Sequence, residues 1–180
     1  MTLSPPLLAV LGVAALLCAC STAPMRAAVD NAALPEPVRV PAGHKVRLVA
    51  TGVGEITYEC REKAAAAGQF EWAFVAPVAT LYGRDRQNLG KYYAGPTWEA
   101  SDGSKITGKQ VAVAPSSAGN IPLQLVKTDP AMGAGSMSGV TYIQRVNTKG
   151  GVAPATTCDG AAKGSRQQVN YQADYVFYGT

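Results

Sequence analysis

The stretch TWEASDGSKITGKQVAVA, residues 97–114, decides the fold class. It contains two runs of strand-forming residues on either side of Asp102-Gly103, and Asp-Gly between such runs is a strong signal for a β-hairpin. Residues 169–177 place one set of largely apolar residues on a single face: Val169, Tyr171, Ala173, Tyr175 and Phe177. The other face begins with the polar residues Asn170, Gln172 and Asp174. This alternation is typical of a strand that buries one of its faces.

Further strand-like segments occur along the chain, with Gly, Pro, Asn and Asp between them. They cover residues 44–52, 54–62, 70–77, 78–83, 121–128 and 139–148. Residues 60–68, CREKAAAAG, are the one helix-like piece, and we expect a short linking turn there. The pattern predicts a single-domain, all-β antiparallel sandwich or barrel of about nine or ten strands.

The composition limits the class of protein. The chain has 180 residues, a net charge of +4 and 47% hydrophobic residues, which fits one globular domain preceded by a targeting segment. Lysine and arginine are scattered, and no run is dense enough for a nucleic-acid or anionic-lipid patch. We therefore expect no nucleic-acid partner.

The N-terminal segment is typical of a signal peptide. The first twenty residues contain no charged side chain, and residues 7–17 form an apolar run that is too short for an ordinary membrane span. The segment ends in LCACS, which resembles the lipobox of bacterial lipoproteins, with Ala19 before Cys20 and Ser21 after it. The alternative is ordinary secretion, with cleavage near Ala23.

These features predict an exported protein of the cell envelope. Residues 1–19 would be removed by cleavage before Cys20, and the Cys20 sulfur would carry the lipid. Residues 20–36 are rich in alanine and interrupted by proline, as in a flexible tether, and residues 37–180 would form the domain. Ser21 would permit sorting to the outer membrane of a Gram-negative cell.

The remaining cysteines predict a disulfide. Once Cys18 is removed and Cys20 is lipidated, only Cys60 and Cys158 are left, and an even pair in an exported protein indicates a disulfide. The bond would close a loop of about 100 residues, worth up to about 4.7 kcal/mol. A metal site or a nucleophilic thiol is the rival interpretation, but no histidine accompanies either cysteine, since the chain has only His44.

Enzymatic chemistry has one candidate in the sequence. The motifs of common nucleophilic, metal-dependent and nucleotide-binding sites are absent, so we expect no cofactor, and a metal site of several histidines is excluded by count. Glu99 and Asp102 flank a turn and could act as the acid pair of a glycan hydrolase. The alternative is structural: Asp102 is the natural first residue of an Asp-Gly turn, and Glu99 can be a solvated strand residue.

Aromatic residues in the same region predict a binding surface. Tyr92, Tyr93 and Trp98 lie close to the turn, and aromatic rings stack well on sugars. The alternative is that these rings pack in the core or against the turn.

The motif order resembles a known family. The segments FEWAFVAPVATLYG, YYAGPTWEASDGSKITGK, IPLQL, GVTYIQRVNTKGGVAP and YQADYVFY, with Cys158 before the last, are similar to the domain of unknown function DUF3455 over residues 52–178. The resemblance implies an exported protein of bacterial or fungal type and no established activity. Many relatives have histidine at the position of Tyr92 and tryptophan at Leu123, so a mechanism that uses those side chains would be missing here.

Three hypotheses follow from the sequence. The first is a non-catalytic binding or structural module of the cell envelope that docks glycan or peptidoglycan through aromatic rings. The second is a glycan hydrolase that uses Glu99 and Asp102. The third is a lipoprotein that binds a protein partner in an envelope complex.

Overall fold

The computed structural model describes Met1 and residues 29–180. Eight strands occur there: β1 (Lys45–Lys63), β2 (Ala66–Tyr82), β3 (Asn88–Tyr93), β4 (Thr97–Ala100), β5 (Lys105–Ala114), β6 (Leu123–Thr128), β7 (Val140–Gly150) and β8 (Arg166–Gly179). Two short 3-10 helices, Asn31–Ala33 and Glu36–Val38, precede them. The predicted signal peptide, apart from Met1, and the lipidation site Cys20 lie outside the described residues. Within the described part of the chain, no helix is long and apolar enough to cross a membrane.

The strands form one closed antiparallel barrel. Each strand pairs with its neighbour in chain order, and β1 also pairs with β8, which closes the sheet. The all-β prediction is confirmed, and of the two expected architectures the chain forms the barrel. The expected strand number was wrong, because the barrel has eight strands instead of nine or ten.

Two long strands account for this difference. β1 continues through Gly54, where a Cβ would meet the backbone oxygen of Val78, so this glycine permits close approach to β2 and does not end the strand. β2 likewise continues through Pro77. The pairing of β2 with β3 stops at Val78 and Tyr93, so β2 is an edge strand at Pro77, where proline is tolerated. Residues 88–93 lie between two predicted strand segments and form β3.

The predicted hairpin at Asp102-Gly103 is confirmed. Trp98 of β4 pairs with Ile106 of β5, and Ala100 N donates to Ser104 O at 2.9 Å. Gly103 has a φ of 85°, a conformation that glycine adopts without steric cost. The hairpin therefore forms for the local reason that the sequence indicates.

The main core fills the barrel, and all eight strands contribute inward-facing residues to it. The face of β8 that was predicted from alternation is confirmed, since four of its five residues are buried there and Val169 packs against them. The largest fully buried side chains of this core are Trp98, Tyr175, Phe177, Leu81, Ile106 and Met137.

A second apolar cluster lies outside the barrel, where residues 29–41 cover the outer faces of β5 to β8. Val38 and Val40 are buried against Leu125, Val146 and Val176 of that outer face. Residues 29–36 are the described part of the predicted tether, and within them Val29 and Leu34 pack against this cluster.

Polar contacts hold this segment in place. Asn31 donates from its amide to Val40 O at 2.9 Å, and it accepts from Val40 N at 2.9 Å. Gln144, fully buried on β7, donates to Asn31 Oδ1 at 2.8 Å and to Val38 O at 2.6 Å. The segment is thus bound to the barrel by a buried network as well as by apolar contact.

The disulfide between Cys60 and Cys158 is confirmed. It attaches the long loop after β7 to the end of the β1–β2 hairpin, where Trp72 Nε1 also donates to Thr156 O at 2.9 Å. The helix-like segment of residues 60–68 was expected to be a linking turn, but most of it extends β1 and β2, and only residues 64–65 turn.

Candidate functional site

Two of the three rings of the predicted aromatic surface, Tyr92 and Trp98, lie inside the barrel. Trp98 is 0% exposed and Tyr92 is 5% exposed, because the two residues pair across β3 and β4 with both side chains inside the barrel. Their rings stack with centroids 4.9 Å apart, and Trp98 also contacts Tyr175 and Phe177. The expectation that these rings form an exposed stacking surface was wrong for Tyr92 and Trp98.

Tyr93 and Glu99 lie on the outer face of the same strands. The Tyr93 hydroxyl donates to Glu99 Oε2 at 2.7 Å, and Lys91 and Lys105 lie 3.3 and 3.5 Å from the same carboxylate. The hydrogen bond from Tyr93, with the two lysines, lowers the pKa of Glu99. Lys91 also lies 5.5 Å from the centre of the Tyr93 ring. Glu99 is therefore an ionised member of a surface network.

Asp102 joins two loops. Its Oδ1 accepts hydrogen bonds from Ser104 N and Oγ, and its Oδ2 accepts from Ser136 N and Oγ, all at 2.6 to 2.9 Å. The bonds from Ser104, followed by those from Ser136, hold the pKa of Asp102 well below its usual range. None of these contacts involves Glu99, so the two carboxylates serve separate structural contacts.

Polar side chains face the barrel interior beside the start of β6, at the level of Arg145 of β7. Leu123 and Leu125 belong to the outer cluster, so Gln124 between them points inward. On β7, Ile143 is in the inner core, and Arg145 two residues later shares its face. Cross-strand pairing joins Gln124 to Arg145 and Arg145 to Tyr175. We use the term mouth for the region formed by five side chains: Gln124, Arg145, Tyr175, Tyr92 and Tyr171.

The tyrosines of the mouth are neutral hydrogen-bonding groups. The hydroxyls of Tyr171 and Tyr175 lie 3.2 Å apart, and the rings of Tyr92 and Tyr175 are 5.0 Å apart. Burial raises the pKa of Tyr92, Tyr171 and Tyr175, and this outweighs the opposing influence of the Arg145 charge. Each phenol therefore keeps its proton at neutral pH and can act as a donor.

Arg145 is held at the mouth by a single carbonyl. Its Nε and Nη2 donate to Pro122 O at 3.2 and 3.0 Å. Among the residues that the structure describes, none of the ion pairs involves this guanidinium. Sequence reasoning missed Arg145, although its place two residues after Ile143 in an alternating strand was an available signal.

Two buried polar atoms have no hydrogen-bond partner among the described residues, and both belong to inward-facing side chains. They are Trp98 Nε1, a donor, and Gln124 Oε1, an acceptor. Gln124 uses its other amide atom, which donates to Gln110 Oε1 at 2.6 Å. Buried polar groups are nearly always paired, so unpaired ones mark a place that can receive further hydrogen bonds.

A separate open groove lies on the outer wall and has a volume of about 810 Å³. It crosses β2, β1, β8 and β7 above Gly54, which has no side chain, and the exposed Val53 and Val78 line it together with Glu55 and Lys149. Glu55 and Lys149 are each exposed to solvent. None of the candidate binding or catalytic residues that the sequence predicted, Tyr92, Tyr93, Trp98, Glu99 and Asp102, lines this groove.

The described residues contain no group of three or more His, Cys, Asp or Glu side chains that could hold a metal ion.

Comparison with known proteins identifies a family but no function. The model of the family "Protein of unknown function (DUF3455)" matches residues 41–179, which is most of the chain. No curated protein and no solved structure matches the chain.

Proposed function

The chain belongs to the DUF3455 family, and from its own residues we propose that it is an exported, lipid-anchored protein of the cell envelope. Its barrel acts as a non-catalytic binding module that receives a small envelope component at the mouth. The polar interior of the mouth supplies the binding groups, and residues 29–41 attach the barrel to the anchored N-terminus.

Sequence features support the cellular location. An uncharged segment with an apolar run precedes Cys20 in a lipobox-like context. The disulfide between Cys60 and Cys158 agrees with an oxidising compartment outside the cytoplasm.

One observation carries the binding proposal: Trp98 Nε1 and Gln124 Oε1 are buried in inward-facing side chains without a partner among the described residues. An eight-stranded barrel is just wide enough to be filled by side chains or to hold one small ligand, and ligand sites are common at barrel mouths. A ligand with both a donor and an acceptor would satisfy these groups, which a purely structural core would pair internally.

The contacts of Glu99 and Asp102 favour a binding function over glycan hydrolysis. Glu99 is engaged by Tyr93 and two lysines, and Asp102 accepts four hydrogen bonds from Ser104 and Ser136. Both have a lowered pKa, whereas a glycan hydrolase needs one of its two acids to be protonated.

A ligand screen tests the binding proposal. The full chain, purified with its disulfide formed, would be heated with glycans, peptidoglycan fragments and small metabolites while its unfolding is followed. A ligand at 100 times its dissociation constant should stabilise the protein by about 2.7 kcal/mol. The stabilisation should disappear in Gln124→Leu and persist in the matched control Gln172→Leu, whose side chain lies in the outer groove. Absence of any stabilising compound, or an equal effect in Gln124→Leu, would contradict the proposal.

Lipid labelling tests the location. Cells that produce the chain and are fed a tagged fatty acid should yield a labelled, membrane-associated protein, and Cys20→Ser should abolish the label. A secreted, unlabelled wild-type protein would instead favour ordinary cleavage near Ala23.

A further inference from the structure

We propose that the mouth binds a small organic monocarboxylate with an apolar body, and that Arg145 is the residue that holds the carboxylate. This inference rests on the proposed binding function and specifies its ligand class. It depends on four features of the mouth: the placement of Arg145, the absence of a protein counter-charge, the tyrosine hydroxyls and the exposed apolar side chains nearby.

The guanidinium of Arg145 has more N–H donors than its contact with Pro122 uses. A guanidinium carries five N–H groups in a planar fork, and Arg145 uses its Nε and Nη2 on the one carbonyl of Pro122. The remaining donors belong to a half-buried group on the inner face of β7, between Gln124 and Tyr175. A planar fork of this kind binds a carboxylate through two parallel hydrogen bonds.

The protein supplies no negative charge to this cation within its described part. Carboxylates on other strands of the barrel face outward, as Glu55 of β1 does in the outer groove and as Glu99 of β4 does in its lysine network. Asp174 of β8 lies between the inward-facing Ala173 and Tyr175, so its side chain points to the outer face. There it accepts hydrogen bonds from Thr51 and Asn147. A half-buried charge is costly without a partner, so an anionic ligand would be stabilised at this position.

Tyrosine hydroxyls add donors to the same region. Tyr171 and Tyr175 share one hydrogen bond between two hydroxyl groups, which uses one of their two protons and leaves the other available. The charge of Arg145 affects the pKa of Tyr92, Tyr171 and Tyr175, so these hydroxyls lie within its electrostatic reach. Hydrogen-bond donors that have no negatively charged group nearby favour a ligand group that only accepts hydrogen bonds, such as a carboxylate.

Exposed apolar side chains favour an apolar body on the ligand. Phe74 is 57% exposed and pairs across strands with the inward-facing Tyr58, and their rings meet edge to face at 6.2 Å. Val113 is 46% exposed and pairs with the inward-facing Gln124. Both side chains therefore extend from the inner face of the sheet at this end of the barrel and offer apolar surface to a ligand held by Arg145.

Matched pairs of probes test the charge requirement. Benzoate and hexanoate would be compared with benzamide and hexanamide, which have nearly the same shape without the charge. Calorimetry on the full chain at pH 7 would measure affinity, and the NMR signal of the Arg145 Nε–H group would report contact at the site. The carboxylates should bind at least about tenfold more tightly than the amides, because hydrogen bonds to a charged group are stronger than hydrogen bonds between neutral groups.

Two substitutions with the same change in charge separate a local contact from a general electrostatic effect. Arg145→Gln should lower carboxylate affinity at least about tenfold, whereas Lys149→Gln on the outer face should leave it within about twofold. Arg145→Lys keeps the charge and loses the planar guanidinium, so it should show an intermediate affinity for carboxylates. It provides a second test of the contact if Arg145→Gln does not fold.

The outcomes distinguish this inference from the function on which it rests. Equal binding of carboxylates and amides, or full carboxylate affinity in a folded Arg145→Gln protein, would overturn the role of Arg145 and leave a binding mouth. If none of the four probes binds, the carboxylate inference fails; if the wider screen also finds no ligand that depends on Gln124, the binding function fails with it.

Discussion

Asp102 and Ser136, 34 residues apart, are joined by two hydrogen bonds to the same carboxylate oxygen, from Ser136 N at 2.7 Å and from Ser136 Oγ at 2.6 Å. The contact fixes the loop between β6 and β7 on the β4–β5 turn. Met137, the next residue, is 1% exposed and belongs to the barrel core, and its N–H donates to Ser104 Oγ at 3.2 Å. The acidic residue of the Asp-Gly turn thus positions the loop that packs Met137 into the barrel.

Asp102→Asn should weaken this contact in a pH-dependent way. The folded pKa of Asp102 is depressed, so its ionised form contributes stability above the unfolded value of about 4, and this contribution is lost as pH falls towards the folded value. The difference in unfolding free energy between wild type and Asp102→Asn should therefore be largest near neutral pH and shrink below about pH 4. Urea titrations at several pH values would measure it, with Asp85→Asn in an exposed turn as control. A difference that stays constant from neutral to acidic pH would contradict this role.

Trp98→Ala should be severely destabilising. Removal of a fully buried tryptophan leaves a large cavity, and we expect a loss of about 3–5 kcal/mol in unfolding free energy. Tyr93→Ala, in the same stretch but on the outer face, should cost about 1 kcal/mol or less. In Trp72→Phe, the remaining Trp98 fluorescence should resist quenching by acrylamide. Ready quenching, or a mild effect of Trp98→Ala, would show that Trp98 is not enclosed.

Reduction of the disulfide should destabilise the protein without changing its fold class. Cys60 and Cys158 are separated by 98 residues, and loss of such a bond typically costs about 2–5 kcal/mol. Urea unfolding with and without reductant would measure the loss, and the double variant Cys60→Ala/Cys158→Ala should match the reduced protein and be insensitive to reductant. Identical midpoints for oxidised and reduced wild type would refute this expectation.

Asn31→Ala should loosen the N-terminal segment from the barrel. The substitution removes one hydrogen-bond partner of the buried Gln144 and both bonds to Val40, so we expect a loss of about 1–3 kcal/mol. Hydrogen exchange should show faster exchange at Val40 N–H in particular. The adjacent control Asp30→Ala, which removes only an exposed bond to Ala32 N, should cost no more than about 1 kcal/mol. Equal effects of the two substitutions would argue that residues 29–41 are held by apolar contact alone.

Gly54→Ala should destabilise the barrel by about 1–3 kcal/mol, because the added methyl group would collide with the backbone of β2. Gly160→Ala is a suitable control, since a Cβ there would meet only the Phe70 ring at ordinary contact distance, 3.7 Å. Thermal unfolding of both variants would test the prediction. A neutral Gly54→Ala would mean that β1 and β2 are further apart at this point.

Local sequence patterns predicted several parts of the fold because their physical causes are local. Alternation predicted which face of β8 is buried, since side chains of a strand point to opposite sides in turn. Asp102-Gly103 predicted its own turn, because the required backbone conformation depends on Gly103. The pairing of Cys60 with Cys158 followed from the number of cysteines left after export.

Strand continuity could not be predicted in the same way. Glycine and proline usually interrupt strands, but their effect depends on what lies beside them. Gly54 is required by the close approach of Val78, and Pro77 is tolerated because β3 ends one pair earlier. Both neighbours are distant in sequence, so the strand number depended on contacts that a local pattern does not contain.

The sequence by itself determined the strand periodicity, the hairpin turn and the cysteine pairing, which depend on near neighbours or on composition. It also determined the family, which depends on the order of motifs along the chain. Only the tertiary structure decided the strand number and which side chains of β3, β4 and β7 point inward, because closure of β1 on β8 defines an interior. That closure buries Tyr92 and Trp98, leaves Glu99 on the outer face and places Arg145 beside Tyr175 at the mouth. The candidate site thus arises from long-range strand pairing.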